Sequence, residues 1–298
     1  MLPSLTPRPL LRLARHPLAR TVHAVAAQGF THADAYDAAR PSYPPAALAL
    51  VRALLPPAAR VIEPGAGTGI FSRLLAQGGV RALVAVEPSS EMRAAWARGM
   101  RGKQGDKIEG KQDGKPDLRC VDGGFDNLSR TGWGRGDKAE ADAVIIAQAW
   151  HWCMDYDRAL AEIADYLKPH APLVLIWNLE SDADAFHRDL RAAYQAHDLG
   201  SPQYYRGLWR QMFETPAYHD LFASKEEHRF AWDVGIDEDA VVARIMSKSY
   251  MTMLGDKHDE VVAQLRRIIR QSDKEWIDQP NGTFRYRYNT DVVVLRKR

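Results

Sequence analysis

Cysteine is scarce in this sequence, since only Cys120 and Cys153 occur among 298 residues. Two thiols exclude a disulfide-stapled scaffold and fit a reducing compartment. No apolar run reaches the roughly 18–20 residues that a bilayer crossing needs, so no membrane span is predicted. Neither cysteine has a partner at a metal-ligand spacing, and no Gly-x-Ser-x-Gly motif occurs. The sequence therefore predicts neither a metal site nor a serine hydrolase.

Net charge is also small, at +2 for pH 7, and lysine and arginine form no stripe along one face. Nucleic acid is therefore not predicted as a partner. The charge is unevenly distributed, because the first 32 residues hold four arginines and no acidic residue. That segment carries +4, which leaves a slightly acidic remainder of −2.

Residues 1–27 form a basic N-terminal extension that contains several arginines and leucines and is interrupted by prolines. Transit peptides have this acid-free, arginine-containing composition. A disordered basic tail is the alternative, because Pro17 would interrupt a long amphipathic helix. We expect a cytoplasmic protein, or a mitochondrial one if residues 1–27 are a transit peptide.

Residues 28–298 alternate short apolar runs with helical patterns. Five buried strands are predicted at Arg60–Glu63, Ala82–Glu87, Leu118–Val121, Ala143–Gln148 and Leu173–Asn178. The main helices are predicted at Ile70–Gln77, Ser89–Arg98, Tyr156–Leu167, Ala183–His197, Leu208–Phe213, Glu238–Met246 and Glu260–Gln271. Continuous apolar strands that alternate with helices indicate a parallel sheet covered on both faces, which is a doubly wound α/β domain.

Strands are also predicted near the C-terminus, beginning with Glu227–Asp233. Two more follow at Thr283–Tyr288 and Asp291–Leu295. We interpret this last pair as a hairpin that turns at Asn289–Thr290, or as one strand interrupted there.

Two segments interrupt the alternation. Residues 99–117 are rich in Gly, Lys and Asp, which predicts a solvated polar loop. Residues 181–225 combine helical patterns with many aromatic side chains and follow the fifth strand. Ligands of open α/β sheets bind at the carboxyl edge where this segment emerges, so we predict a helical lid. A helical pair that packs on the core for stability alone is the alternative.

The most informative stretch is Glu63-Pro64-Gly65-Ala66-Gly67-Thr68-Gly69, which joins the first strand to a helix. Its Gly-x-Gly-x-Gly spacing differs from the dinucleotide pattern Gly-x-Gly-x-x-Gly, whose third glycine position is occupied by Ile70. A P-loop is excluded because Gly-Lys-Ser/Thr is missing. A carboxylate at Glu63 suits an amine-bearing ligand better than a pyrophosphate.

The second strand ends in Glu87, 18 residues after Gly69, which places its carboxylate beside the glycine loop. An acid at this place accepts hydrogen bonds from ribose hydroxyls. A ribose acceptor, a second acid and no phosphate cradle together describe a site for S-adenosyl-L-methionine. A nicotinamide oxidoreductase is the weaker alternative, because the glycine spacing is wrong for it.

These motifs resemble the class I S-adenosylmethionine-dependent methyltransferases over residues 28–298. The chain is most similar to their small-molecule branch, of trans-aconitate and methyltransferase type 11-like enzymes. Three further stretches carry this resemblance, namely Tyr36–Pro44, Gln148–Trp152 and Leu167–Pro169. The resemblance implies a Rossmann-like, seven-stranded, mostly parallel sheet and S-adenosyl-L-methionine as the cofactor. It also implies methyl transfer to a small organic acceptor through oxygen or sulfur, with a carboxylate among the candidates. A non-catalytic cofactor-binding module is the alternative.

The cofactor residues that the resemblance implies are Glu63, Gly65, Gly67, Gly69, Glu87, Gly124, Phe125 and Gln148. One departure concerns the adenine site. Many relatives have Gly-Asp-Ala after the third strand, whereas this sequence has Gly123-Gly124-Phe125. Adenine would then be held by backbone groups near Phe125, with Asp122 as an alternative acceptor.

The residues predicted to contact the substrate or belong to the lid are Tyr36, Arg40, Trp150, Trp152 and Trp209. Aromatic faces near a sulfonium gain cation–π attraction and exclude water from the methyl group. A packed structural corner is the alternative for Trp150–Trp152. His151 is a candidate general base for a hydroxyl acceptor, whereas a carboxylate or thiolate acceptor would require no catalytic residue. The acceptor identity and the oligomeric state stay open.

Overall fold

The computed structural model describes Val25, Asp37, residues 39–101 and residues 116–298. Tyr36 and most of the basic extension lie outside these residues, as does most of the polar loop predicted at 99–117. The extension, its targeting role and the loop therefore stay predictions. Among the described residues, no helix is both long and apolar enough to cross a membrane.

The strands of the sheet begin and end close to the predicted bounds. They are β1 Arg60–Pro64, β2 Ala82–Val86, β3 Asp117–Val121, β4 Ala143–Ala147, β5 Pro172–Glu180, β6 Glu226–Ile236, β7 Trp276–Asp278 and β8 Thr283–Arg296. The strands lie in the order β3-β2-β1-β4-β5-β8-β6, and β7 pairs with β8. Strands β1 to β5 are parallel, whereas β6, β7 and β8 pair antiparallel.

The predicted seven-stranded, mostly parallel sheet is thus confirmed, with the short β7 as an eighth strand that the sequence did not predict. The expected break at Asn289–Thr290 is wrong, because β8 runs through both residues and pairs with β5 and β6. The Thr290 hydroxyl donates to Asn178 Oδ1 at 2.6 Å and accepts from Trp232 Nε1 at 2.9 Å. Bonds to residues distant in sequence therefore satisfy the polar side chain that resembled a turn signal.

The helices cover both faces of the sheet. They are α1 Pro45–Ala53, α2 Ile70–Gln77, α3 Ser90–Arg101, α4 Tyr156–Tyr166, α5 Ala185–Gln195, α6 Pro216–Leu221, α7 Glu238–Met246 and α8 His258–Gln271. The predicted helix at Leu208–Phe213 is a 3-10 helix, Leu208–Glu214.

Alternate residues of the central strands point to opposite sides of the sheet, as the two-residue period of a strand requires. Ile62 and Val144 pack in the core beneath α4 and α6, whereas Val61 and Ile145 pack in the core beneath α1 and α2. Because β1, β2, β4 and β5 are parallel, the loops that follow them gather at one edge of the sheet, which is where open α/β sheets bind ligands.

Candidate functional site

The glycine loop after β1 adopts a backbone that suits glycine. Gly65, Gly67 and Gly69 have φ angles of 71°, 56° and 86°, a region that L side chains rarely adopt. A Cβ on Gly65 would lie 2.6 Å from the Cβ of Ala149, and a Cβ on Gly69 would meet Trp96. A Cβ on Gly67 would meet nothing within 4 Å, so this glycine leaves open space for a ligand.

Glu87 anchors this loop from the end of β2. Its Oε2 accepts from Gly67 N at 3.0 Å and its Oε1 accepts from Ser89 N at 2.9 Å. The side chain is almost fully buried, and burial raises the pKa of its carboxyl. Each oxygen keeps a further lone pair, so the carboxylate fits the predicted role of accepting from ribose hydroxyls.

Glu63 is buried at the end of β1. Its Oε2 accepts a short hydrogen bond from the Ser72 hydroxyl of α2, and Trp96 Nε1 donates to that hydroxyl oxygen at 2.7 Å. Burial raises the pKa of Glu63 to about 8. No cationic side chain among the described residues forms an ion pair with Glu63, so a ligand cation near it would be strongly favoured.

A first cavity opens directly onto the glycine loop. It is lined by Tyr43, Glu63, Gly65, Ala66, Gly67, Thr68, Ile70, Phe71, Met92, Ala147, Gln148, Ala149 and Trp152. Four of the predicted cofactor residues therefore lie on its wall: Glu63, Gly65, Gly67 and Gln148. Gly69 and Glu87 do not line the cavity, although Glu87 is bonded to the loop that does.

The N-terminal approach to the fold is tied to this cavity. Asp37 accepts from the Thr68 hydroxyl at 2.7 Å and forms two hydrogen bonds with Arg73, at 2.7 and 2.9 Å. The Tyr43 ring packs edge-on against Phe71, with their centroids 5.0 Å apart. The segment before α1 is thereby held beside the glycine loop.

The residues expected to hold adenine do not line the first cavity. The backbone N–H and C=O of Gly124 pair with Asn127, at 3.3 and 3.2 Å. Phe125 packs edge-on against Trp150, and Asp122 forms ion pairs with Arg93 and Arg130. Adenine contacts at Gly124 and Phe125 stay a prediction, and the Gly124 backbone groups are already engaged.

A second cavity adjoins the first. It is lined by Arg40, Gln148, His151, Trp152, Asn178, Leu179, Gln203, Tyr204, Tyr205, Arg244, Lys248, Ser249 and Tyr250. Gln148 and Trp152 line both cavities, so these two residues form part of their common wall. The predicted residues Arg40, His151 and Trp152 are thus brought together here.

Gln148 occupies this common wall with an unusual backbone. Its φ is 58°, which is uncommon for a residue with a side chain and marks a strained position. Its Nε2 donates to the Asn178 carbonyl at 3.0 Å, and its backbone N donates to the Ile176 carbonyl. Strand β5 therefore fixes the amide at the junction between the cavities.

His151 has a defined tautomer. The Trp177 indole N–H, which is only a donor, donates to His151 Nδ1 at 3.2 Å. In the neutral ring the proton is therefore on Nε2, and burial together with nearby Arg40 lowers the pKa of His151 to about 3. This arrangement favours a hydrogen-bond donor, whereas the sequence offered His151 as a general base.

Two predicted aromatic residues lie in the core instead of on a cavity wall. Trp150 is fully buried and donates to Met212 Sδ at 3.0 Å. Trp209 packs against Trp177 and Tyr204, with centroids 4.7 and 5.6 Å apart. Both side chains therefore contribute to core packing. For Trp150, this position agrees with the alternative of a packed structural corner.

The segment 181–225 contributes few residues to the cavities. Gln203, Tyr204 and Tyr205 line the second cavity, whereas α5 and α6 pack against the protein core. The segment therefore both covers part of the site and stabilises the fold, and its role as a lid stays a prediction.

The sequence analysis missed three charged residues at the second cavity. Arg244 and Lys248 line it, and both are buried, as is Glu180 at the end of β5. Arg244 Nη2 lies 3.2 Å from Glu180 Oε1, and Lys248 Nζ lies 3.2 Å from both carboxylate oxygens. A signal was present, because Arg244 and Lys248 lie three and seven residues after the buried Val241, on the apolar side of α7 and its extension.

Comparisons with known proteins agree with this architecture. A family model for a methyltransferase domain matches residues 36–222. The uncharacterized methyltransferase Rv3342 of Mycobacterium tuberculosis is 30% identical over 217 residues, or 72% of this chain and 74% of the relative. The uncharacterized methyltransferase-like protein C25B8.10 of Schizosaccharomyces pombe is 23% identical over 188 residues, or 62% of this chain and 65% of the relative.

Among solved structures, the YcgJ protein of Bacillus subtilis superposes with a TM-score of 0.52 at 16% identity, covering 85% of this chain and 98% of that one. This likeness shows the fold alone.

The family match covers well over half of the chain, which therefore belongs to the methyltransferase-domain family. The protein is an S-adenosylmethionine-dependent methyltransferase of class I, and S-adenosyl-L-methionine is its cofactor. The trans-aconitate-type branch stays a prediction.

Proposed function

We propose that this enzyme methylates a small organic acceptor that binds in the second cavity while the cofactor binds in the first. The observation that carries this proposal is the common wall of the two cavities, formed by Gln148 and Trp152. Acceptor and cofactor would meet across these side chains. Positioning reacting groups in this way is a large source of rate enhancement.

The described residues of the first cavity fit the cofactor. The open space at Gly67 allows a ligand to approach the backbone without meeting a Cβ. The buried Glu63 carboxyl would hold the ammonium of the methionine part, and Glu87 would accept from the ribose hydroxyls. When bound, S-adenosyl-L-methionine supplies a methyl group on a cationic sulfur, which needs no further activation.

The second cavity favours an acceptor that is already deprotonated. His151 Nδ1 accepts from Trp177, so it has no free lone pair for the acceptor's proton. The Tyr204 and Tyr205 hydroxyls donate to Asp291 and Asp198. None of the described residues that line this cavity is an Asp or Glu, the usual carboxylate bases.

Lys248 is the remaining candidate base. Burial, opposed by Glu180 and assisted by Arg244, lowers the pKa of Lys248 to about 7. Its Nζ nevertheless lies within hydrogen-bond distance of both Glu180 oxygens and 4.3 Å from the Tyr194 ring centroid, an arrangement that suits an ammonium. We therefore assign Lys248 to charge stabilisation and not to proton abstraction.

A carboxylate meets this requirement. Its oxygen forms the new bond to the methyl carbon while sulfur keeps the electron pair of the bond that breaks, so no proton has to leave. The product is a neutral methyl ester. Thiols and phenols would first have to lose a proton, for which the described residues that line the second cavity offer no suitable group.

The test is a methyl-transfer assay with isotopically labelled S-adenosyl-L-methionine and a panel of small carboxylates, phenols and thiols. We expect methyl esters, identified by mass spectrometry and by release of methanol in alkali. Cofactor binding is measured in parallel by calorimetry. Binding without transfer to any acceptor class would instead indicate a non-catalytic binding module.

A further inference from the structure

Arg244 has donors that none of the described residues satisfies. Its side chain is 2% exposed, and its Nε and Nη1 have no hydrogen-bond partner in the described part of the chain. Buried polar groups in folded proteins are almost always hydrogen-bonded, and a guanidinium is among the most costly to leave unpaired. Because Arg244 lines the second cavity, its guanidinium charge would attract an anion bound there.

The charges around Arg244 leave one positive charge in excess. Arg244 and Lys248 contribute two cations, and Glu180 is the buried carboxylate that lies between them. Although burial raises the pKa of Glu180, the two cations lower it more, so this carboxyl is ionised. With Lys248 as an ammonium, the form that its contacts with both Glu180 oxygens and the Tyr194 ring favour, the three groups carry a net charge of about +1.

Two neighbouring carboxylates in the described part of the chain do not cancel this excess, because each has its own ion-pair partner. Asp198 is neutralised by Arg206, with a shortest ion-pair distance of 2.7 Å. Asp291 is neutralised by Arg229 at 2.6 Å. Arg40, which donates to the Ser247 carbonyl at 3.2 Å, adds further positive potential on the cavity wall. The second cavity is thus suited to an anion.

We propose that Arg244 and Lys248 form an anion subsite that binds a carboxylate group of the acceptor. This inference rests on the proposed function and names residues beyond 222, where the match to the methyltransferase-domain model ends. A single excess charge matches a carboxylate better than a phosphate dianion. The His151 Nε2–H, on the same cavity, is a further donor for the carboxylate oxygens.

Methylation of this carboxylate removes its negative charge, and the ester then loses its attraction to Arg244 and Lys248. The same subsite would therefore favour substrate binding over product binding. Thermodynamic discrimination of this kind comes from donors that the uncharged form leaves unpaired.

The first test compares each acid with its amide, which has a similar shape and no charge. Succinate and benzoate are paired with succinamide and benzamide, and inorganic phosphate is the non-carboxylate anion. Binding to the cofactor-free enzyme is followed by thermal shift, and methyl transfer is measured separately. We expect the acids to stabilise and to be methylated, with little effect of the amides.

The second test changes the subsite. Arg244→Gln and Lys248→Gln should each raise the KM for the carboxylate by about ten- to hundredfold, the value of one charge-assisted hydrogen bond. The affinity for S-adenosylhomocysteine should not change, which also reports that each variant is folded. Arg267→Gln, an exposed charge on α8, is the matched control and should behave like the wild type.

The outcomes separate the two proposals. Methylation of a neutral small acceptor, with no preference for acids, would overturn the anion subsite and leave the proposed function intact. An unchanged KM in Arg244→Gln would also overturn it, as would a thermal shift with phosphate alone. Absence of transfer to every compound, with the cofactor bound, would refute both proposals. If neither variant folds, the comparison of acids with amides in the wild type still decides.

Discussion

The substitution Glu87→Gln tests how the end of β2 contributes to cofactor binding. The carboxylate receives hydrogen bonds from Gly67 N and Ser89 N, and each oxygen keeps a lone pair for the ribose hydroxyls that it is predicted to bind. An amide keeps one acceptor oxygen and replaces the other by a donor. One charge-assisted bond to the cofactor would be lost, and the loop N–H of Gly67 or that of Ser89 would meet a donor.

Hydrogen bonds to charged groups contribute about 1.5–3 kcal/mol each. Loss of one such bond, with some displacement of the loop, should weaken binding by about 2–3 kcal/mol. The Kd for S-adenosylhomocysteine should then rise about 30- to 150-fold, at about 1.4 kcal/mol per tenfold. Calorimetry at neutral pH measures this change directly, and thermal unfolding of the unliganded variant reports any loss of fold.

Glu91→Gln is the matched control, because Glu91 is an exposed carboxylate in the first turn of α3. It should leave the Kd within twofold of the wild type. A Glu87→Gln variant that also bound within twofold would refute the assignment of Glu87 to the ribose. Since burial raises the pKa of Glu87, wild-type affinity should also fall as the pH is lowered through that raised pKa, where the protonated carboxyl loses its acceptor strength.

Three further predictions concern the loop, the histidine and the buried acid. Gly65→Ala should lower the free energy of unfolding by about 2–4 kcal/mol, because the residue has a positive φ and the new Cβ would contact Ala149. Gly67→Ala should lower it by about 1–2 kcal/mol and mainly weaken cofactor binding, and denaturant unfolding and calorimetry measure the two effects. His151→Asn should lower kcat less than about tenfold with no change in the pH–rate profile, whereas loss of a general base would cost about 100- to 10,000-fold. Cofactor binding at pH 7 should release about one proton from Glu63, because the pKa of about 8 falls beside the ligand's ammonium. Calorimetry in buffers of different ionisation enthalpy measures this proton release, and a binding heat that does not depend on the buffer would contradict the prediction.

Local patterns predicted most of the fold and the glycine loop. Helix α2 begins and ends at the predicted residues, and each end of β1 to β4 lies within one residue of its predicted position. These elements have strong local signals, since apolar runs end in glycine or in a capping residue. The break expected at Asn289–Thr290 failed because the bonds that satisfy Thr290 come from Asn178 and Trp232, which are distant in sequence.

The candidate site was predicted less completely, for the same reason. Glu63 and Gln148 follow strands, so topology alone places them at the carboxyl edge of the sheet. Arg244 belongs to a helix beyond residue 236, and its proximity to Glu180 depends on how α7 packs against the end of β5. Two cations on an apolar helix side indicated an unusual environment, but the sequence does not specify the partner that neutralises them.

The two buried carboxyls of the site show why the cavities suit different ligands. Glu63 has no ion-pair partner among the described residues, and burial raises its pKa to about 8. Glu180 has two cations, which lower its pKa despite the same burial, and two donors of Arg244 have no partner among those residues. The described residues that line the first cavity therefore carry no positive charge, and those that line the second carry no negative charge. A cationic cofactor and a carboxylate acceptor would satisfy both deficits together, and their mutual attraction across Gln148 and Trp152 would favour the pair over either ligand alone.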